Sequence, residues 1–241
     1  GRTQINVNQQ MGGSTWVYLG TFPFDEGENH SGRVVLSNQS SYRGVVTADG
    51  VRFGGGFAQD ERGTAFTSGL PRFLEAARYQ AQWAGLPDSL FNTEAGFDKD
   101  DLRCRPNLLN YFAGGSDYLP AQSGKRVPFE LSLAIHSDAG YRKDGSIFGT
   151  LGICTTQDGS GSTTFPSGLS RKAPADFADI LLTGIVRDLG KTYNVAWTRR
   201  ELWDRNYAET RMPNVPSAIL ETMSHQNFSD MKFGHDPNFK F

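Results

Sequence analysis

His136 and Glu221 are the two residues of this chain best placed to do chemistry. The stretch FELSLAIHSDAG (129–140) alternates apolar residues at Phe129, Leu131, Leu133 and Ile135, then breaks into His136, Ser137, Asp138, Ala139 and Gly140. A second apolar run, VPSAIL (215–220), delivers Glu221. In open α/β sheets, ligands bind beyond the carboxyl ends of the strands, so both side chains leave the sheet where function sits. Neutral imidazole is a good zinc ligand, and a nearby carboxylate can take the proton of water activated by the metal. That is the chemistry of metal-assisted hydrolysis. Each residue also has a plainer use. An imidazole at a strand end often serves as a hydrogen-bonded structural group, and a glutamate there can cap a neighbouring helix. A charged carboxylate ending a buried strand does need a partner, because desolvating it is costly.

The elements that must hold these residues follow from length and period. A chain of 241 residues is long enough for one large domain or two modest ones. Gly, at 28 residues, exceeds the usual frequency of about 7 %, so tight turns are plentiful. The formal net charge of −2 gives no reason to expect nucleic acid or an anionic membrane as partner. No stretch approaches the ~20 apolar residues of a membrane span. The opening GRTQINVNQQ is already strand-like and is not a signal peptide, as expected of a chain that begins in mid-domain. Cys104 and Cys154 have no CxxC spacing, which argues against a cysteine-based zinc site. They are either one disulfide or two buried thiols.

Residues 1–56 are short alternating runs (TQINVN, TWVYLGTFPF, GRVVLSNQ, GVVTADGVRF) separated by turn material such as DEGENHSG and NQSSYRG. This predicts a small antiparallel β region, thin in core by itself. Residues 57–69 read as a linker by their Gly, charge and Ser/Thr content. From residue 70 the period becomes helical, with Leu70, Phe73, Leu74, Ala77, Ala81 and Ala84 on one face, Ser68 as a possible cap and Pro71 in the first turn. DDLRCRPNLLNYF predicts a second helix, interrupted or started at Pro106. The clearest helix spans 174–189, with Phe177, Ile180, Leu181, Gly184, Ile185 and Leu189 on its apolar face. IFGTLGICTT, NVAWTRREL and SAILETMS add candidate strands. Strands alternating with helices predict an α/β domain over 70–241, a twisted open sheet with helices on both faces. The loop QDGSGSTTFPSG (157–168) is expected to be mobile beside the cleft.

Three stretches, in order, give this region a resemblance to the zinc-dependent N-acetylmuramoyl-L-alanine amidases of the amidase_3 type. LRCRPNLLN resembles the family's helix with an Arg and a closing Asn, here Arg105 and Asn110. LSLAIHSDAG resembles its Ser-Ile-His-Ala-Asn strand, which implies that His136 is a zinc ligand and that Asp138 stands at a substrate-binding position. VPSAILETMSHQNFSD resembles its Pro-Ala-Val-Leu-Val-Glu followed by Ser-Asn, which implies that Glu221 is the catalytic acid/base and that Asn227 contacts substrate. Arg211 falls where the family has a Leu-Arg and is implied as a further substrate contact. The likeness covers roughly residues 70–241, and the family's last helix is not completed by HDPNFKF.

This sequence also departs from the family. His-Ala-Asn is His136-Ser137-Asp138 here, and the Gly-Phe after the glutamate is Met223-Ser224. The opening Asp-Pro-Gly-His-Gly motif and its downstream Glu, which supply two of three zinc ligands, have no counterpart in residues 1–69. His30 lies in a turn, and His225 and His235 read as turn or supporting residues. GSTWVYLGTFPF, GRVVLSNQS and GVVTADGVRF together resemble the golvesin C-terminal-like β-domain, an accessory module of extracellular bacterial proteins. The resemblances imply an insert followed by the C-terminal half of a discontinuous catalytic domain. The expected function is a secreted, extracellular or periplasmic cell-wall hydrolase. It would cleave the amide between N-acetylmuramic acid and L-alanine of peptidoglycan with Zn²⁺, this chain holding part of the zinc site. Alternatives are a non-catalytic cell-wall or glycan-binding module, with Trp16, Tyr18 and Tyr42 as an aromatic platform, and a polysaccharide-degrading lyase.

Overall fold

Four strands, Ser132–Asp138 (β1), Leu151–Cys154 (β2), Trp203–Asp204 (β3) and Ser217–Ser224 (β4), hydrogen-bond in the order β1-β4-β2-β3. They belong to a computed structural model that describes residues 1–28, 30, 32–53, 74–93 and 97–240. β1 and β4 are parallel, β2 runs antiparallel to β4, and β3 is parallel to β2. The α-helices among the described residues are Ala77–Trp83 (α1), Phe97–Ala113 (α2), Ala173–Tyr193 (α3), Ala208–Arg211 (α4) and Phe228–Gly234 (α5). The architecture is α/β, an open mixed sheet with helices on both faces, as the alternating periods predict.

α3 covers one face. A Cβ on Gly152 of β2 would lie 3.4 Å from Cβ of Ala178 on this helix, so the missing side chain lets helix and sheet approach. The helix is longer than the period predicted and its buried line is rotated. Pro174, Ala178 and Leu182 are buried, while Ile180 is 69 % exposed. Pro174 at the start needs no N–H there, and Asn194 ends the helix in the left-handed region at φ 51°, where its own N–H caps Gly190 O. On the other face Leu151, Ile153 and Ile219 form an apolar patch with Ala134 and Trp203, and α4 packs there, backed by α2. Pro106 neither starts nor breaks α2. The helix runs through it, and the ring is fully buried, which offsets the lost backbone donor.

Gly149, just before β2, is fixed by its surroundings. Its φ is +87°, and a Cβ would stand 2.0 Å from Thr198 O. Thr150 then bridges to Arg199, so the stretch predicted as a strand from Asn194 pairs here and again only at β3. Cys104 and Cys154 are both buried free thiols and not a disulfide.

One expectation at the N-terminal end is revised. Among the described residues of 1–53 no strand forms, although alternation predicted four. The apolar residues find no facing sheet: Val35 is 74 % and Val45 87 % exposed. Alternation marks which side chains share a face but supplies no partner, and four short strands bury little. One substitute pairing exists. The Gln9 side-chain amide donates to Thr47 O and accepts from Thr47 N, as a neighbouring strand would. The predicted linker (57–69) and the predicted helix start at Leu70 lie outside the described residues. α1 begins only at Ala77.

Candidate functional site

His136 and Glu221 are paired in register across β1 and β4. Residues opposite each other on parallel strands point to the same face, so the two side chains emerge together on the α4 side of the sheet. β1 alternates between half-buried and exposed residues, with Ser132, Ala134, His136 and Asp138 turned inward. Just past His136 the register slips: Asp138 pairs with Ser224, so β4 carries one extra residue there.

Nε2 of His136 lies 2.9 Å from Oε2 of Glu209 on α4. Oε1 of Glu209 accepts from Nη1 of Arg105 at 3.3 Å, and Nη2 of the same guanidinium binds Asp101 at 2.8 Å. The bond from Glu209 raises the His136 imidazole above its ordinary value, outweighing the opposite pull of desolvation. Burial pushes the Glu209 carboxyl up, yet the bond and charge of His136 and the charge of Arg105 together hold it below the usual range. Glu221 moves the other way. Burial raises it, Asp138 adds to the rise, and His136 and Arg200 only partly oppose it. Its Oε2 is buried without a hydrogen-bond partner.

α4 has only four residues, and neighbours hold it in place. Asn110 of α2 donates to Met212 O and accepts from Asn214 N, and Thr210 shares a 2.6 Å hydroxyl bond with Thr155. Both residues that the helix motif singled out, Arg105 and Asn110, therefore act on the segment carrying Glu209. Glu209 itself was not found from the sequence. NYAETRM has no period to mark it, and the one available sign was an acidic residue two positions before Arg211.

The remaining expected residues take different places. Asp138 is ion-paired to Arg200, whose guanidinium lies over the Phe148 and Trp203 rings at 4.2 and 5.5 Å. Arg211 ends α4, its carbonyl accepting from Arg171, and its Cδ lies near Gly159. Asn227, expected to touch substrate, is 2 % exposed, and its amide is engaged inside the protein. It accepts from Arg142 N and donates to Ser146 O and to Asp230. With Asp230, which accepts from Phe148 N, Gly149 N and Ser224 N, it clamps the 140–149 loop beside the site. His225 bonds Ser137 on the opposite face, and His235 caps α5.

The 157–168 loop is not a free flap. Asp158 accepts from Ser160 N and Ser162 N, Phe165 is 3 % exposed, and Arg171 stacks on it at 4.3 Å. Ser167 and Leu169 instead border a cleft with Tyr118, Leu131, Val215 and Pro216, at the ends of β1 and β4 remote from His136. Trp16 lies against Gly50 and Gly85, Tyr18 packs edge-on to Trp83, and Tyr42 stands apart at 78 % exposure.

Comparison with known proteins identifies residues 1–55 as matching the Golvesin C-terminal domain family, in agreement with the resemblance of the N-terminal stretches. The match does not extend into the α/β region. No curated protein and no solved structure matches the chain.

Proposed function

We propose that the α/β region is part of a zinc-dependent hydrolase of the bacterial cell wall, acting outside the cytoplasmic membrane on the amide between N-acetylmuramic acid and L-alanine. The observation that carries this reading is the in-register pair of His136 and Glu221, with a carboxylate oxygen buried and unpartnered. A buried polar atom without a partner costs free energy, and in a native protein it calls for a task. The golvesin-type domain supports an extracellular setting, and no helix among the described residues is long and apolar enough to cross a membrane.

The residues present fit zinc as part of its ligand set. His136 offers an imidazole, while no group of three His, Cys, Asp or Glu side chains among the described residues is placed to hold an ion. Catalytic zinc usually takes three protein ligands, and the reading assigns the others to sequence outside these 241 residues. Zinc, when bound, polarises the scissile carbonyl and lowers the pKa of water to about 7. Glu221, raised by burial and facing the same side as His136, takes the proton of the attacking water and returns it to the leaving nitrogen. Arg200 keeps Asp138 in its ion pair, so one carboxylate remains free for that shuttle.

The test is product analysis. The full-length protein with purified peptidoglycan should release stem peptides bearing a new L-alanine amino terminus, without breaking the glycan. Unsaturated sugar products would establish a lyase instead, and sacculus binding without any product would establish a non-catalytic module. Metal analysis of the 241-residue chain after mild chelation should find far less than one zinc per chain. A full tightly held equivalent would overturn the partial-site assignment.

A further inference from the structure

Arg171 is buried, with 4 % of its side chain exposed, and the proposed chemistry does not use it. It ties together two segments that are 40 residues apart in the chain. Both terminal nitrogens donate to Arg211 O at 3.4 Å, and Nη2 also meets Oδ2 of Asp158 at 3.4 Å. Nε is buried with no hydrogen-bond partner. All three contacts are longer than the roughly 2.7–3.2 Å usual for such bonds. A buried cation so loosely paired is costly to keep in place. Arg211 O belongs to the end of α4, where a helix leaves carbonyls unsatisfied and a guanidinium can cap them. We infer that the 157–168 loop is a latch on α4, with Arg171 as its bolt, so that release of the loop frees the end of the helix carrying Glu209.

The loop is built to move as one piece. Asp158 N donates to Ser162 O, Phe165 N to Leu169 O and Arg171 N to Thr163 O, so the segment is closed on itself. Gly161 and Gly168 take φ of +88° and +85°, and a Cβ on Gly168 would meet nothing within 4 Å. Glycines absorb backbone rotation at such positions without steric cost. Between them Phe165, 3 % exposed, is seated under the guanidinium at 4.3 Å. A four-residue helix is marginal by itself, so α4 depends on its ties. Thr155 holds it at Thr210, and Asn110 holds the backbone beyond it at Met212 O and Asn214 N. Arg171 adds the tie at Arg211 O from the side of the loop, two residues past Glu209. The inference rests on these contacts and stands whether or not the site holds zinc.

The experiment is amide hydrogen exchange of the 241-residue chain, read residue by residue by NMR through a series of low urea concentrations. The amides to follow are those of Phe165 and Arg171 in the loop and of Arg211 and Met212 at α4, each of which donates to a backbone carbonyl. In the wild type all four should report one opening, with a shared free energy and urea dependence, at lower cost than the opening of β4. Arg171→Met, which keeps the apolar stem and loses the donors, should speed exchange at all four by at least about 10-fold and leave β4 unchanged. Separate openings of loop and helix in the wild type would overturn the inference. So would acceleration confined to the loop in the variant, or acceleration that extends equally to β4. If Arg171→Met does not fold, the wild-type series decides alone.

Discussion

Glu221 faces His136 across adjacent parallel strands, and one of its carboxylate oxygens is buried with nothing to bond. Function and stability therefore pull in opposite directions at this residue. In the full-length protein, Glu221→Gln should lower turnover on peptidoglycan by at least about 10²-fold, the scale of general acid–base catalysis. In the same variant the melting temperature should hold or rise, because an amide is cheaper to bury than an unpartnered charge. A stability loss above about 2 kcal/mol would mean that the carboxylate has a structural partner.

Asp230 predicts the reverse. It is fully buried and takes hydrogen bonds from Phe148 N, Gly149 N, Ser224 N and the Asn227 amide. Asp230→Ala strands several buried donors, each costing about 1–3 kcal/mol. Urea unfolding should register a loss of at least about 3 kcal/mol. A mild loss would show that the 140–149 loop is held by something else.

The two thiols are closed to solvent. Burial, helped by Asp101, pushes Cys104 up to about 12, and burial, helped by Asp204, pushes Cys154 up to about 11. Only the thiolate reacts, so both should resist a disulfide reagent at pH 8 in the folded chain and react promptly in urea. The sign of the linkage follows. The unfolded thiols ionise near the ordinary thiol value of 9.0, below the folded ones, so any stability they confer is complete below that pH and is lost as pH rises towards 12. Urea midpoints should fall between pH 9 and 11, less steeply in Cys104→Ala.

β1 is an edge strand, and its outer face shows Leu131, Leu133 and Ile135 at 47, 38 and 70 % exposure. An exposed apolar edge invites pairing between chains. Ile135→Lys should reduce self-association seen by light scattering while changing unfolding free energy by no more than about 0.5 kcal/mol. Unchanged scattering would place the sticky surface elsewhere.

What the sequence disclosed was local. Alternation through Ile135 and the run ending at Leu220 marked β1 and β4, and helical spacing marked α3. Period alone could not orient α3, because Ala178 and Leu182 face a sheet that the helix's own sequence does not describe. Glu209 stayed hidden for a related reason. Its partner lies far away along the chain and is brought near only by the strand order and by Asn110. Asn227 was legible as a polar residue after a strand, but its burial depends on Arg142 and Ser146, in a loop about 80 residues earlier, as well as on Asp230 of its own helix.

The strand order carries a consequence for how the chain is made. β4 is the last strand in sequence, yet it lies between β1 and β2. During synthesis β1 emerges well before β4, and the pairing of the two waits until residues 217–224 have left the ribosome. Contacts of such long separation make folding slow, and they make residues 217–224 indispensable to the sheet. A nascent chain stopped before Ser217 would hold β2 and β3 but leave β1 unpaired, a natural client for chaperones. Closing the sheet and bringing Glu221 to His136 are the same event, so the pair forms when the fold does.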